Sequence, residues 1–257
     1  MAGAAHKSKT SEITDRINVF GASLKDDGKF DMLEWQRLRR DLEELEAIPA
    51  HRKTALMLLA VVWEFKHDRE KIQALLNQAA GKFGKDLNWY LTRANMAPTF
   101  GDTTLITDML EHSYPKGSKA GLDKVVSMCS HSGMFSSAVR ALDDLIKLDE
   151  RQGRALEEEY PFLRPASNYL EIHDIPELEV ANRVVAASKV VIDSQFRLTR
   201  YSVRSDVTGL MFEFTIDGEI DRLVEVDLAI SDAIATQFEG TLSQHLSIGV
   251  SPKEEAA

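Results

Sequence analysis

A mostly α-helical chain, a helical-hairpin array leading into a small α+β module with an antiparallel sheet, is the fold class predicted by three features of the sequence. Apolar residues recur at offsets of three and four through the first part of the chain, the spacing of an amphipathic helix face. These stripes come in pairs that repeat at a nearly constant interval. After Ser194 the period drops to two, that of a strand with one buried side.

The first pair carries Ile13, Ile17, Phe20 and Leu24, then Leu38, Leu42 and Leu45 after the turn residues Asp26, Asp27 and Gly28. Asp31, three residues before Glu34, reads as a capping box for the second helix, and Pro49 marks its end. A second pair follows, with Leu56, Leu59 and Trp63, then Ile72, Leu75, Leu76, Ala79 and Phe83, broken at Gly81 and Gly84. The third has Leu87, Tyr90, Leu91 and Ala94, then Pro98 and Gly101, then Ile106, Met109 and Leu110. The fourth runs Leu122, Val125, Val126 and Cys129, turns at Ser132 and Gly133, and returns through Ala138, Leu142, Leu145 and Ile146.

Leu38, Ile72, Ile106 and Ala138 lead the second helix of each pair, at intervals of 34, 34 and 32 residues. One hairpin cannot bury its own apolar face, so a regular beat of this length predicts stacked copies. The stretch from Leu122 to Leu148 resembles a tetratricopeptide repeat. Gly133 stands at the hairpin turn, Phe135 follows, Ala138 takes the close helix contact, and Leu142, Leu145 and Leu148 take the large packing positions. Val126 and Glu150 depart from that family's small residue and terminal proline. The resemblance covers residues 10–150 and implies a right-handed α-solenoid that binds a protein or peptide, with no chemistry attached.

Beyond residue 150, Leu156, Tyr160 and Leu163 read as a short helix cut by Pro161 and Pro165. Asp174 and Glu177 form a second capping-box candidate, with Pro176 in the first turn of a helix through Leu178, Ala181, Val185, Ser188 and Ile192. Leu210, Phe212, Phe214 and Ile216 alternate with Met211, Glu213 and Thr215 as a strand, and Asp217-Gly218 after it signals a hairpin. Residues 196–204 and 220–226 are its expected partners. Ile230, Ile234 and Phe238 return to helical spacing, and residues 246–250 are a last strand. The expected organisation is a tail over 1–10, repeats over 11–150, connecting helices over 151–194, the α+β module over 195–250 and a tail over 251–257.

Composition narrows the function. Of 257 residues, 44% are hydrophobic and 28% charged, the balance of a globular protein. No segment approaches the ~18 apolar residues of a membrane span. A net charge of −10 argues against nucleic acid and anionic membrane as partners. Cys129 is the one cysteine, which fits a reducing cytoplasmic compartment and a soluble protein. No phosphate loop, dinucleotide fingerprint, HExxH motif or nucleophile elbow occurs, so no catalytic residue, metal ligand set or cofactor is named. Cys129 and His131 lie two apart and point away from each other on a helix, and the cysteine reads as core. His112 and His173 would be metal ligands only with partners the spacing does not reveal. Trp35, Trp63 and Trp89 read as packing between helices.

Two basic features are the candidate partner-binding residues: Arg37, Arg39, Arg40, Arg52 and Lys53 around the first inter-hairpin turn, and Arg197, Arg200 and Arg204 with Tyr201 on a strand. Either offers donors to an acidic peptide or a phosphate. The plainer reading of both is solvated surface paired with carboxylates. The sequence thus points to a non-enzymatic protein-interaction scaffold or regulatory adaptor, whose partner is a protein, a peptide or a second copy of the chain. The alternative is a metal-dependent enzyme or nucleic-acid-processing factor using Asp193, Asp206, Asp217, Glu219, Asp221, Glu225, Asp227 and Asp232; three or more converging carboxylates would favour it.

Overall fold

The computed structural model describes residues 8–253 apart from 29, 197, 207 and 241, with the backbone alone at 25–27 and 198–200. Among these residues it is mostly α, with thirteen helices and a three-stranded mixed sheet near the C-terminus. The chain divides into two compact units, Met1–Thr92 and Arg93–Ala257. No helix among the described residues is long and apolar enough to cross a membrane.

The first unit holds α1 (Lys9–Asp27), α2 (Met32–Glu46), α3 (Arg52–Glu64), α4 (Arg69–Phe83) and the start of α5 (Leu87–Ala94). Ser8 caps α1 by accepting from the Ser11 amide at 3.2 Å, so the helix begins inside the expected tail. Asp31 caps α2, accepting from the Leu33 and Glu34 amides at 2.9 and 3.0 Å. Glu34 does not close the box in return; it takes the Arg16 guanidinium at 2.9 Å. The stripe of Ile13, Ile17, Phe20 and Leu24 is buried with Trp35, Leu38, Leu42, Leu45, Leu59 and Val62. Trp35 Nε1 donates to the Val62 carbonyl at 2.8 Å, and Trp89 Nε1 to the Leu76 carbonyl at 2.9 Å. Both indoles thereby bury a donor that would otherwise be left unsatisfied. The expected packing role of these two tryptophans holds.

The second unit continues with α6 (Ala97–Phe100), α7 (Thr104–His112), α8 (Lys119–His131), α9 (Phe135–Leu148), α10 (Glu150–Glu159), α11 (Leu163–Ile172) and α12 (Glu177–Asp193). α8 packs on α9, which also carries α10 and α11. Gly133, at φ 79°, makes the left-handed turn between α8 and α9, and a Cβ there would lie 3.1 Å from Val180 Cγ1, so α12 closes directly over it. Cys129 is fully buried, as expected, and burial pushes its thiol well up. The Asp174–Glu177 capping box does not form. Pro176 is the N-cap residue of α12, and Glu177 instead accepts from the Ser137 amide at 2.9 Å and its hydroxyl at 2.6 Å. Its charge sits on the first turn of α9, where the helix dipole favours an anion.

Tyr114, between α7 and α8, donates to Asp144 of α9 at 3.0 Å. Burial and that carboxylate push its phenol up to about 12, so it stays a donor. Burial raises Asp144 too, but hydrogen bonds from Lys147 and Tyr114 outweigh it and hold the carboxyl below its usual range. A carboxylate depressed in the folded state adds stability above the unfolded value, near pH ~4, that is lost as pH falls through the folded value. Thermal melts from about pH 6 to about pH 3 should therefore show a smaller acid loss for Asp144→Asn than for wild type. Identical acid dependence would remove Asp144 from the account.

The C-terminal elements are β1 (Leu198–Asp206), β2 (Gly209–Ile216), α13 (Ile220–Gln237), a 3-10 turn at Leu242–Gln244 and β3 (Leu246–Pro252). β1 and β2 are antiparallel, with Tyr201 opposite Phe214 and Val203 opposite Phe212. β2 and β3 are parallel, so the sheet is mixed where an antiparallel one was expected. The cause is the connection: a parallel neighbour needs a long crossover, and α13 supplies it. Residues 220–226, expected as a strand, are the first turns of α13. In so short a window Val224 and Val226 imitate alternation, but Leu223, Val226 and Ile230 share one buried face at offsets of three and four. Asp217-Gly218 accordingly leads into a helix, and the hairpin turn lies between Asp206 and Gly209 instead. Leu210, Phe212, Phe214 and Ile216 are all buried on one side of β2, as their alternation requires.

Candidate partner-binding site

The first basic group does not converge. Arg37 Nη1 lies 3.7 Å from Glu34, Arg39 Nε 3.4 Å from Glu43, and Lys53 Nζ 2.7 Å from Asp86. Arg52 Nε donates to the Glu46 carbonyl at 2.9 Å, and Arg40 is exposed on α2. The Arg39 guanidinium also lies 5.4 Å from the Trp35 ring centre. Four of the five thus have different acceptors, and exposed pairs of this kind contribute about 0–1 kcal/mol each. Arg37, Arg39 and Lys53 lie beside carboxylates, while Arg52 is held by a backbone carbonyl.

On the second feature, Arg197 lies outside the described residues and Arg200 is described by its backbone alone, opposite Thr215. Arg204 is exposed opposite Met211, on the side of the sheet away from the Tyr201 side chain. Strand alternation therefore separates Tyr201 from Arg204.

Tyr201 belongs instead to a ladder of rings that climbs from the sheet core to the surface. It stacks on Phe212 at 5.4 Å between ring centres and 13° between planes, and Phe212 meets Phe214 at 5.2 Å. His131 of α8 stands edge-on to Tyr201 at 4.2 Å, and Phe162 approaches it at 6.5 Å. Phe162 also meets Phe135 and Tyr160, each at 6.1 Å. His131, Tyr160, Phe162 and Tyr201 are all partly exposed, whereas Phe135, Phe212 and Phe214 are buried. Three elements set this arrangement: the last turn of α8, the link between α10 and α11, and β1.

Hydroxyls line the same place. The Ser130 hydroxyl donates to the Ser127 carbonyl at 2.7 Å, which leaves the Tyr201 hydroxyl as the donor to Ser130 Oγ across 3.3 Å. Tyr160 donates to Ser127 Oγ at 3.4 Å. Burial pushes both phenols up, so at neutral pH each remains an uncharged donor. Edge-to-face rings with neutral hydroxyls suit an apolar or aromatic side chain followed by a hydrogen-bonding backbone.

The candidate partner-binding residues of the sequence do not include Tyr160 and Phe162. The signal for them is the run Tyr160-Pro161-Phe162, two aromatics around a proline at a helix break, where rings cannot all turn into one helix's core. His173 is brought against Tyr169 and His245, with ring centres 4.3 and 5.0 Å away, and the Tyr169 hydroxyl lies 2.9 Å from His245 Nδ1. Among the described residues no group of three or more His, Cys, Asp or Glu side chains is placed to hold a metal. Four of the eight C-terminal carboxylates have separate local partners: Asp193 with Lys189, Asp206 with the Thr208 amide at 2.7 Å, Glu225 with Arg222, and Asp227 with the Val250 amide at 3.2 Å. No protein-family model, no curated protein and no solved structure matches this chain.

Proposed function

We propose that this chain is a non-enzymatic protein-interaction scaffold or regulatory adaptor, holding a protein or peptide segment where the end of α8 meets the α10–α11 link and β1. The observation that carries the reading is the partly exposed cluster of Tyr160, Phe162 and Tyr201 beside His131. Tyrosine and phenylalanine present large, rigid contact area with few torsions to immobilise, which is why aromatic side chains anchor interfaces. The buried rings behind them hold the exposed ones in place before a partner arrives, lowering the entropy lost on binding.

The test is affinity capture from a cell lysate with the immobilised full-length chain and its Tyr160→Ser/Phe162→Ser variant, read by quantitative mass spectrometry. Proteins retained by the wild type should fall at least about tenfold on the variant, the size of loss expected for anchor residues. Circular dichroism on both proteins checks that the fold persists. Equal retention on the two overturns the reading, as does a wild-type chain with neither a partner nor self-association.

A further inference from the structure

α13 is held against α12 and β3 by Leu223, Val226 and Ile230, which are 4%, 3% and 0% exposed. Its opposite side is unusual. Ile220, Val224 and Leu228, spaced four apart and so aligned along one face, are 71%, 53% and 65% exposed. A helix within a folded unit ordinarily turns such a stripe inward, and contiguous exposed aliphatics mark interaction surfaces. The helix is also fixed in position. Asp227 Oδ1 accepts from the Val250 amide at 3.2 Å, and Arg183 donates to the Gly240 carbonyl at 3.0 Å while lying 4.7 Å from the Phe238 ring centre.

Charge identifies the occupant. Asp221, Glu225 and Asp232 are exposed along one flank of the stripe. Over residues 217–232 six carboxylates face one arginine, a net charge of −5. A second copy presenting the same face would bring these charges together, which opposes self-pairing. We infer that the outer face of α13 is a docking surface for a basic amphipathic helix of a partner protein, its apolar side on Ile220, Val224 and Leu228 and its cations against Asp221, Glu225 and Asp232. This is helix-on-helix recognition, read through positions four apart. The surface is separate from the ring cluster around Tyr201, and its test does not depend on that site.

The probe is a synthetic amphipathic helix of leucine and lysine matching α13 in length, with a leucine–glutamate helix as control, followed by fluorescence anisotropy on the full chain. The lysine helix should bind the wild type and the glutamate helix should not. Val224→Lys/Leu228→Lys should weaken binding at least about tenfold, since it places two charges in the apolar contact. Asp221→Asn/Glu225→Gln/Asp232→Asn should bind several-fold more weakly and lose most of the salt dependence. These side chains are exposed, so each variant should melt as the wild type does; Leu228→Ser is the milder substitute if the lysine pair does not. Undiminished binding by the lysine and serine variants overturns the proposal, as does failure of the wild type to bind or equal binding of the glutamate helix. Light scattering gives the remaining outcome: a wild-type dimer that Leu228→Ser converts to monomer assigns the face to a second copy and overturns a basic partner.

Discussion

Replacing Phe214 with alanine is expected to destabilise the second unit by about 3–5 kcal/mol, the range for a large aromatic removed from a rigid core. Phe214 is 2% exposed, meets Phe212 at 5.2 Å between ring centres, and pairs across the sheet with Tyr201 and Val250. A central strand has neighbours on both sides, so the cavity left behind has little room to collapse. A loss of that size is a large fraction of the ~5–15 kcal/mol by which domains are stable. Glu213, one residue away on the opposite side, is the internal control. It accepts a 3.3 Å hydrogen bond from Ser202, and its replacement by alanine should cost about 0.5 kcal/mol. Urea denaturation followed by far-UV circular dichroism makes the comparison, because all three tryptophans lie in the first unit and would not report on this one. Equal stability of the two variants would mean the register of β2 is wrong.

Gly153→Ala is the second large effect, and its sign runs against helix propensity. In an open helix the change would stabilise by about 0.5–1 kcal/mol. Gly153 is instead buried where α10 crosses α9, and a Cβ built on it would lie 2.8 Å from both Ile146 Cα and Ile146 N and 2.5 Å from Ile146 Cγ1. Two of those atoms are backbone within a helix and cannot rotate aside. Separating the helices should cost about 1–3 kcal/mol, which exceeds the propensity gain. The same urea titration reads it, with the slope checked for constancy. A Gly153→Ala protein as stable as the wild type would show that the two helices do not approach this closely.

Helix periodicity was legible because it is a local property. Ile13, Ile17, Phe20 and Leu24 had to share a face whatever they met, and they are buried together. Leu210, Phe212, Phe214 and Ile216 likewise had one side by alternation alone. Elements short enough to satisfy two periods were not legible. Ile220 to Val226 imitates a strand until the chain beyond it supplies Ile230, and the direction of β3 followed from that helix rather than from any residue in β3. Capping failed in a similar way at Glu177, whose carboxylate had the right spacing for its own helix and was taken by the first turn of α9, 40 residues earlier. Tyr201 has arginines as its neighbours in sequence, while its neighbours in space are His131, Phe162 and Phe212.

By itself the sequence determined the mostly helical fold class, the apolar stripes of the leading helices, the burial of Cys129 and the apolar side of β2, all of which follow from spacing along one chain segment. Tertiary structure alone decided the mixed sheet, the convergence of α8, the α10–α11 link and β1 on a ladder of rings, and the outward turn of Ile220, Val224 and Leu228. Each of these depends on which face of an element meets another element. The two sides of α13 show why: both carry aliphatics at helical spacing, and only the packing of Leu223, Val226 and Ile230 against α12 and β3 determines which stripe remains in water.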